Sequence, residues 1–366
     1  MAKHIAQNTR IKREYFDYLK HAQRRDDASI DQVARALTLF EESTGHKDFK
    51  RFHIQQAVAF KNKLAAKRNE RTGKPLSHAT LHSTLSALRA FFIWLADKPG
   101  YKKRIGYSDP EYFNLSDKEV RIAKAVREQP VPTLEQVHHV LSMMPAGTDI
   151  EKRNRALIAL ATLTGARAAA LASLKLKHID LEQGCIDQDA RDVKTKGSKT
   201  FTTWFCPVAG DALQIVTDWC EHLRAALLWG DDDPLFPKTL VGLGEQGGFQ
   251  PVGLAREHWS NTGAIRKIYK SAFEAAGLPY YNPHCFRHML ARLGEQICPT
   301  IEAFKAWSQN IGHEKMLTTL TSYGKVPAAK QAEIIRRLGQ EKSGGDEAER
   351  MAAQFAEFLR QRGGSI

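Results

Sequence analysis

From Ser29 onward the apolar residues fall three and four apart, at Ile30, Val33, Ala34, Leu37 and Phe40, until Gly45 supplies a stop, so a helix is predicted here. A second helix is predicted over residues 54–66. The strongest period of the front third is Leu81, Leu85, Leu88, Phe92 and Leu95, bounded by Pro75 and Ser77 before it and Pro99-Gly100 after it. Residues 1–27 are polar except for Tyr15, Phe16, Tyr18 and Leu19, and read as an arm or a leading helix. Residues 28–116 then form a small all-helical domain. The charged stretch 117–132 ends in Gln129-Pro130-Val131-Pro132, whose prolines favour extended backbone, and reads as a linker.

A larger domain is predicted over residues 133–340. Thr133 caps a helix with Glu135 and Gln136 in its first turn, and the apolar run 156–163 predicts a buried helix leading into Thr164-Gly165-Ala166-Arg167. After Leu171, Leu174 and Leu176 the period changes. Ile179, Leu181, Cys185, Ile186, Val193 and residues 200–205 are β-branched and aromatic runs, with Lys196-Gly197-Ser198 as a hairpin turn. The fold class is therefore mostly α with a small antiparallel sheet in the second of two domains. Residues 242–253 are Gly-rich and read as a surface loop; without a Lys-Ser/Thr ending they make no phosphate-binding P-loop. Helices are predicted to resume at 261–276, 286–298, 301–309 and 327–338. In the tail, residues 341–366, Asp346 and Glu349 form a capping-box pattern ahead of a stripe of Met351, Phe355, Phe358 and Leu359, which needs a groove to fill on its own domain or a neighbouring protomer.

The charge is uneven. The 366 residues carry 54 Lys and Arg against 41 acids, and residues 1–130 hold 26 basic and 15 acidic side chains, leaving the rest nearly balanced. The front third is thus the part that meets a polyanion, DNA or RNA. Lys61, Lys63, Lys67, Arg68, Arg71, Lys74, His82 and Arg89 lie opposite the apolar stripes, as phosphate-contacting residues on a helical scaffold would. Five cysteines without a Cys-x-x-Cys pair argue against a disulfide framework and a zinc site. The amino terminus has no apolar signal core and no stretch is long enough to span a membrane, which predicts a cytoplasmic protein.

The chemistry concentrates late in the chain. His284-Cys285-Phe286-Arg287-His288 precedes Ile311-Gly312-His313, and Tyr323 follows in a Thr-rich segment ten residues after His313. Two guanidiniums, Arg167 and Arg287, two imidazoles, His284 and His313, and one phenol suit attack on a phosphodiester. Arg holds non-bridging oxygens bidentately and stays ionised, and a phenol of pKa about 10 attacks once a base takes its proton. A zinc reading of His284 and His288 is set aside because Arg287 between them repels a cation and no third ligand lies nearby.

The order Thr-Gly-x-Arg, a hairpin Lys, His-x-x-Arg-His, Gly-His and a final Tyr resembles the tyrosine recombinase family, also called phage integrases, over residues 130–330; residues 30–115 resemble its helical core-binding domain. The resemblance implies a C-shaped clamp on duplex DNA, with Arg167 and Arg287 on the scissile phosphate, His284 in proton transfer and His313 on a phosphate oxygen. It also implies Tyr323 in a covalent 3′-phosphotyrosyl link and a hairpin lysine protonating the leaving 5′-oxygen. Lys194, Lys196 and Lys199 compete for that role, and Lys196, just before the turn glycine, matches best. Two departures matter: many members carry an acid three residues after the first Arg, where this chain has Ala170, and their Gly-His to Tyr spacing is commonly one shorter.

These readings predict a site-specific recombinase of a phage or mobile element, acting on double-stranded DNA as a tetramer joined through its tail, without metal or nucleotide cofactor. The alternatives are a DNA-binding protein of the same fold that has lost cleavage, a topoisomerase or resolvase with the same chemistry, and a basic RNA-binding helical protein.

Overall fold

The computed structural model describes residues 6–70, 72–125, 130–243 and 247–312. They divide into two compact units between Ala125 and Val126.

The first unit is helical. Helix α1 (Ala6–Asp17), continued to Ala22 by a π-helical turn, buries Ile11, Tyr15 and Leu19, so the leading segment packs onto the unit's core. Asn8, almost wholly buried, ties it down by donating to Glu41 and the Lys47 carbonyl and accepting from the Phe49 amide. Helices α2 (Asp27–Ser43), α3 (Ile54–Ala66) and α4 (His78–Ala96) follow the sequence periods, with Asp26 and Ser77 as side-chain caps of α2 and α4. Their stripes meet in an aromatic core in which Phe92 stacks on Phe52 at 4.1 Å and Phe40 meets Phe60, Phe92 and Phe113 edge-on. The stretch expected to be an extended linker begins instead with α5 (Asp117–Lys124), which belongs to this unit. A reciprocal capping box, Ser116 with Glu119, starts this helix where proline content suggested none, and the prolines lie six residues past its end.

In the second unit α6 (Leu134–Met143) begins at a Thr133 capping box, and α7 (Asp149–Thr164) is buried along its whole second half, from Ala156 to Thr164. Short α8 (Ala168–Leu171) leads to strands β1 (Ile179–Asp180), β2 (Cys185–Gln188) and β3 (Phe201–Trp204), which form an antiparallel sheet in that order. Helix α9 (Ala212–Glu221) packs on α7. The Gly-rich stretch expected to be a loop is a second hairpin, β4 (Thr239–Leu243) with β5 (Phe249–Leu254), paired from Thr239↔Leu254 to Leu243↔Phe249 with an irregularity at Leu240/Val241. Gly242, Pro251 and Gly253 within the strands lower strand propensity and concealed the hairpin, and Gly247 and Gly248 take the positive φ of the turn region. Leu243 and Phe249 are among the most exposed apolar side chains, at 77% and 83%.

Helices α10 (Gly263–Ala275), α11 (Pro283–Ile297) and α12 (Ile301–Asn310) complete the described unit, with α11 against α7. Tail residues 341–366 and the helix expected over 327–338 lie outside the described residues. No described helix is long and apolar enough to cross a membrane. Helix α12 seats on α11 through Trp307, whose indole donates to the Leu290 carbonyl at 2.9 Å. A Cβ on Gly294 would overlap that indole ring. Gly294→Ala is therefore expected to lower stability by about 1–3 kcal/mol through overpacking despite its better helix propensity, read as a lower melting temperature.

Candidate active site

Helix α7 ends because Gly165 adopts φ +59°, with its amide bonded to the Ala161 carbonyl. Thr164 secures the exit: its hydroxyl donates to the Leu160 carbonyl at 2.7 Å and accepts from the Ala166 amide at 3.2 Å. Gly165 is also where α11 comes closest. A Cβ there would stand 3.0 Å from Leu290 Cδ1 and 3.4 Å from the Cα of Arg287, and at φ +59° any L side chain is strained, so glycine suits the position. Arg287, 3% exposed, donates from Nη1 to the Gly165 carbonyl at 3.3 Å. Arg167, two residues on, caps α8 with extended backbone and is half-buried. Two arginines 120 positions apart in the chain thus meet at one helix junction.

His284 joins them in the first turn of α11, whose start is set by Asn282 as cap and Pro283 at the first helical position. The residue is solvent-exposed, yet partial desolvation is the largest cause of a lowered pKa, reinforced by the charges of Arg287, Arg167 and Lys196. His284 is therefore neutral at pH 7 and able to take a proton. His288, one turn on, meets it edge to face at 4.6 Å and is pushed down to about 4 by burial and by His284, Arg287 and Arg292.

Lys196 sits at the turn of the β2–β3 loop, ahead of Gly197 at φ +72°. Thr195 closes that turn by donating to the Lys199 carbonyl at 2.7 Å. The three hairpin lysines part company: the Lys196 charge reaches His284, that of Lys194 reaches His258, and Lys199 folds back toward Gly197. Arg167, Lys196, His284 and Arg287 are thus brought together. His313 and Tyr323, and with them the ten-residue spacing, lie outside the described residues. The step toward them is visible: Asn310 pairs with both backbone groups of Trp204 on β3, and Gly312, at φ +69°, lies so close to Phe201 that a Cβ would clash with the ring.

At position 170 the side chain is a buried alanine methyl, 1% exposed. Nearby Ser173 bonds back to the Ala169 and Ala170 carbonyls and accepts the Lys194 amide at 2.8 Å, joining the Arg167 element to the lysine loop. Ser173 escapes a sequence reading because its hydroxyl acts through a contact 21 residues away, with no local motif around it; Gly165 is signalled by the helix-ending Thr-Gly.

In the helical unit, Lys63, Lys67 and Lys74 are exposed. Arg68, also exposed, reaches the Gly73 carbonyl within a tight turn joining α3 to α4, with Asn69 and Lys74 backbone-bonded across it. Lys61 donates to the Asn114 carbonyl and Arg89 pairs with Glu111, so these two serve the fold of the free protein. His82 is half-buried on α4, and Arg71 lies outside the described residues.

Residues 132–325 match the phage integrase family. Among curated relatives, tyrosine recombinase XerC of Lactobacillus delbrueckii subsp. bulgaricus is 26% identical over 254 residues, 68% of this chain and 72% of the relative. Tyrosine recombinase XerD of Proteus mirabilis is 30% identical over 155 residues, 42% of this chain and 44% of the relative. A lambda integrase dimer bound to a COC′ core site superposes with a TM-score of 0.57 at 14% identity, over 87% of this chain and 96% of that one. XerH site-specific recombinase bound to difH substrate gives 0.52 at 18% identity, over 88% and 83%.

The imidazoles set an acid limit. His288 has a folded pKa of about 4 against an ordinary 6.5, so between those values the unfolded chain binds the extra proton. Stability supplied by the neutral ring is complete above pH 6.5 and falls as pH drops toward 4. Melting temperatures across that window should decline less steeply in His288→Gln than in the parent.

Proposed function

The chain belongs to the phage integrase family and is a site-specific DNA recombinase, and on that premise we propose how its residues divide the reaction. Tyr323 attacks the scissile phosphorus, forming a 3′-phosphotyrosyl bond as the bond from phosphorus to the 5′-oxygen breaks. His284 takes the phenol proton. Arg167 and Arg287 hold the non-bridging oxygens, His313 donates to one of them, and Lys196 gives a proton to the departing 5′-oxygen. Rejoining runs the same steps backward with a new 5′-hydroxyl, and the protein link keeps the free energy of the broken ester, so nucleotide hydrolysis has no part in the scheme.

The observation that carries this reading is the approach of α11 to Gly165, which sets Arg287 beside the Arg167 element with neutral His284 and the charge of Lys196 in the same field. A binder that had lost cleavage has no use for two like charges held together and a histidine kept deprotonated. The helical unit supplies affinity for double-stranded DNA, with Lys63, Lys67 and Lys74 as phosphate contacts, and the protein works at the nucleoid in the cytoplasm. The tail stripe of Met351, Phe355, Phe358 and Leu359 docks on a neighbouring protomer to build the tetramer. Its proposed seat is a cavity of about 460 Å³ lined by Met144, Ile150, Ile268 and Ala272.

On a nicked suicide duplex, the full chain should trap a covalent adduct that Tyr323→Phe cannot form while still binding the duplex. Arg287→Ala should slow adduct formation by roughly 10²–10³-fold with a smaller loss of affinity. Tight binding without adduct in the parent chain would return the reading to a cleavage-defective binder. Affinity measured against salt tests the helical unit separately: Lys63→Gln with Lys67→Gln should reduce the slope of log K against log salt by about 0.9 per lost phosphate contact, with no preference for RNA over duplex DNA.

A further inference from the structure

The β2–β3 loop that carries Lys196 is clasped at its base by an ion cluster that the chemistry above does not use. Asp192, four residues before Lys196, accepts from Lys177 at 2.9 Å and Lys175 at 3.5 Å, and both lysines also reach Asp232, at 2.9 and 3.2 Å. His178, 5% exposed, completes the cluster. Its Nδ1 accepts the Lys175 amide at 2.9 Å, which leaves Nε2 as the protonated nitrogen, 3.6 Å from Asp192. Two lysines, two carboxylates and a neutral imidazole balance in charge. Burial is the first cause of a lowered His178 pKa, while the hydrogen bond from Lys177 is the first cause of a lowered Asp192 pKa.

The cluster sits between fixed walls. Lys175 pairs with Pro234 across an isolated bridge, and the amides of Leu176 and Lys177 bond the carbonyls of Asp233 and Asp231, so both lysines stand on backbone anchored at two places. On the loop side, Val193 is buried in the core and the Lys194 amide bonds the Ser173 hydroxyl at 2.8 Å. Residues 192, 193 and 194 are thus held by charge, packing and hydrogen bond in succession. Lys196 and the turn beyond it are exposed and carried on this base.

We infer that Asp192 is a positioning residue for Lys196: gripped by Lys175 and Lys177, it fixes the base of the loop so that the Lys196 ammonium meets the leaving 5′-oxygen. A long, exposed side chain spans many rotamers, and a shift of about 1 Å at its root can cost on the order of 10²-fold in rate. The buried Ala170 offers no carboxylate on the other flank, and Asp192 is the carboxylate that orders this side of the site.

The inference rests on Lys196 as the general acid, and a leaving-group test separates the two. Full-length protein is assayed in single turnover on suicide duplexes whose scissile 5′-atom is either oxygen or sulfur; a thiolate departs without a proton, so the sulfur substrate needs no acid. Lys196→Ala should be slowed roughly 10²–10⁴-fold on oxygen and restored to near the parent rate on sulfur. Asp192→Ala and Asp192→Asn should be slowed about 10- to 100-fold on oxygen and likewise restored, with duplex affinity and melting temperature near the parent values. Arg287→Ala should stay slow on both. If Lys196→Ala is not restored by sulfur, the general-acid reading falls and the inference with it. If Lys196→Ala is restored while the Asp192 variants stay slow on sulfur, or match the parent on oxygen, the positioning role alone is overturned.

Discussion

One contact without a side chain governs this catalytic unit: the backbone of Gly165 against the backbone of α11 at Arg287. A side chain there would force an L residue to φ +59° and crowd Leu290, straining the junction beside which both arginines stand. The buried half of α7 holds one side of the contact and the packing of Leu290 and Phe286 holds the other, so the hydrophobic core serves as a jig for two like charges. Rigid packing holds Arg287 where its Nη1 bonds the Gly165 carbonyl, so the direction of that side chain is set by the core.

Burial and the field of these charges together fix the protonation of their neighbours. Histidines at the head of α11 stay uncharged first because desolvation penalises the protonated form, and then because a further cation would join the charges of nearby arginines. Among the described residues no carboxylate contributes to the His284 shift, in keeping with the alanine at position 170. Charge is distributed differently in the two units: partly buried at the α7–α11 junction in one, exposed at Lys63, Lys67 and Lys74 in the other. Lys61 and Arg89 show the limit of that division, since each already has an acceptor within its own unit.

Elements whose apolar stripe is long and regular were legible in the chain: α2, α3 and α4 are bounded near where the sequence predicts, while α7 ends where Gly165 predicts but starts seven residues before its apolar run, at a Thr148–Glu151 capping box. Arg167, Arg287 and His284 stood out in the chain because reactive side chains in a fixed order are rare by chance, and the fold sets them around one helix junction. Other features were hidden for physical reasons. Helix α5 is short, with only Val120, Ile122 and Ala123 apolar and none of its residues buried, and it depends on a two-residue cap, which a search for apolar period passes over. The β4–β5 hairpin is masked by glycines and a proline that lower strand propensity and by the lack of any alternation between buried and exposed positions. Gly165, Ser173 and Asp192 act through where they stand, and distances between segments far apart in the chain leave no trace in local pattern.

The β4–β5 hairpin has one more consequence. Two short strands with greasy, solvent-facing tips and open outer edges are the sort of template on which identical chains zip together into fibrils. Here the register slips at Leu240/Val241, and Pro251, set opposite Val241, has no amide to offer a newcomer. The kink and the missing donor interrupt any ladder within a residue or two. The exposed apolar finger is therefore guarded against templating aggregation along its own strands.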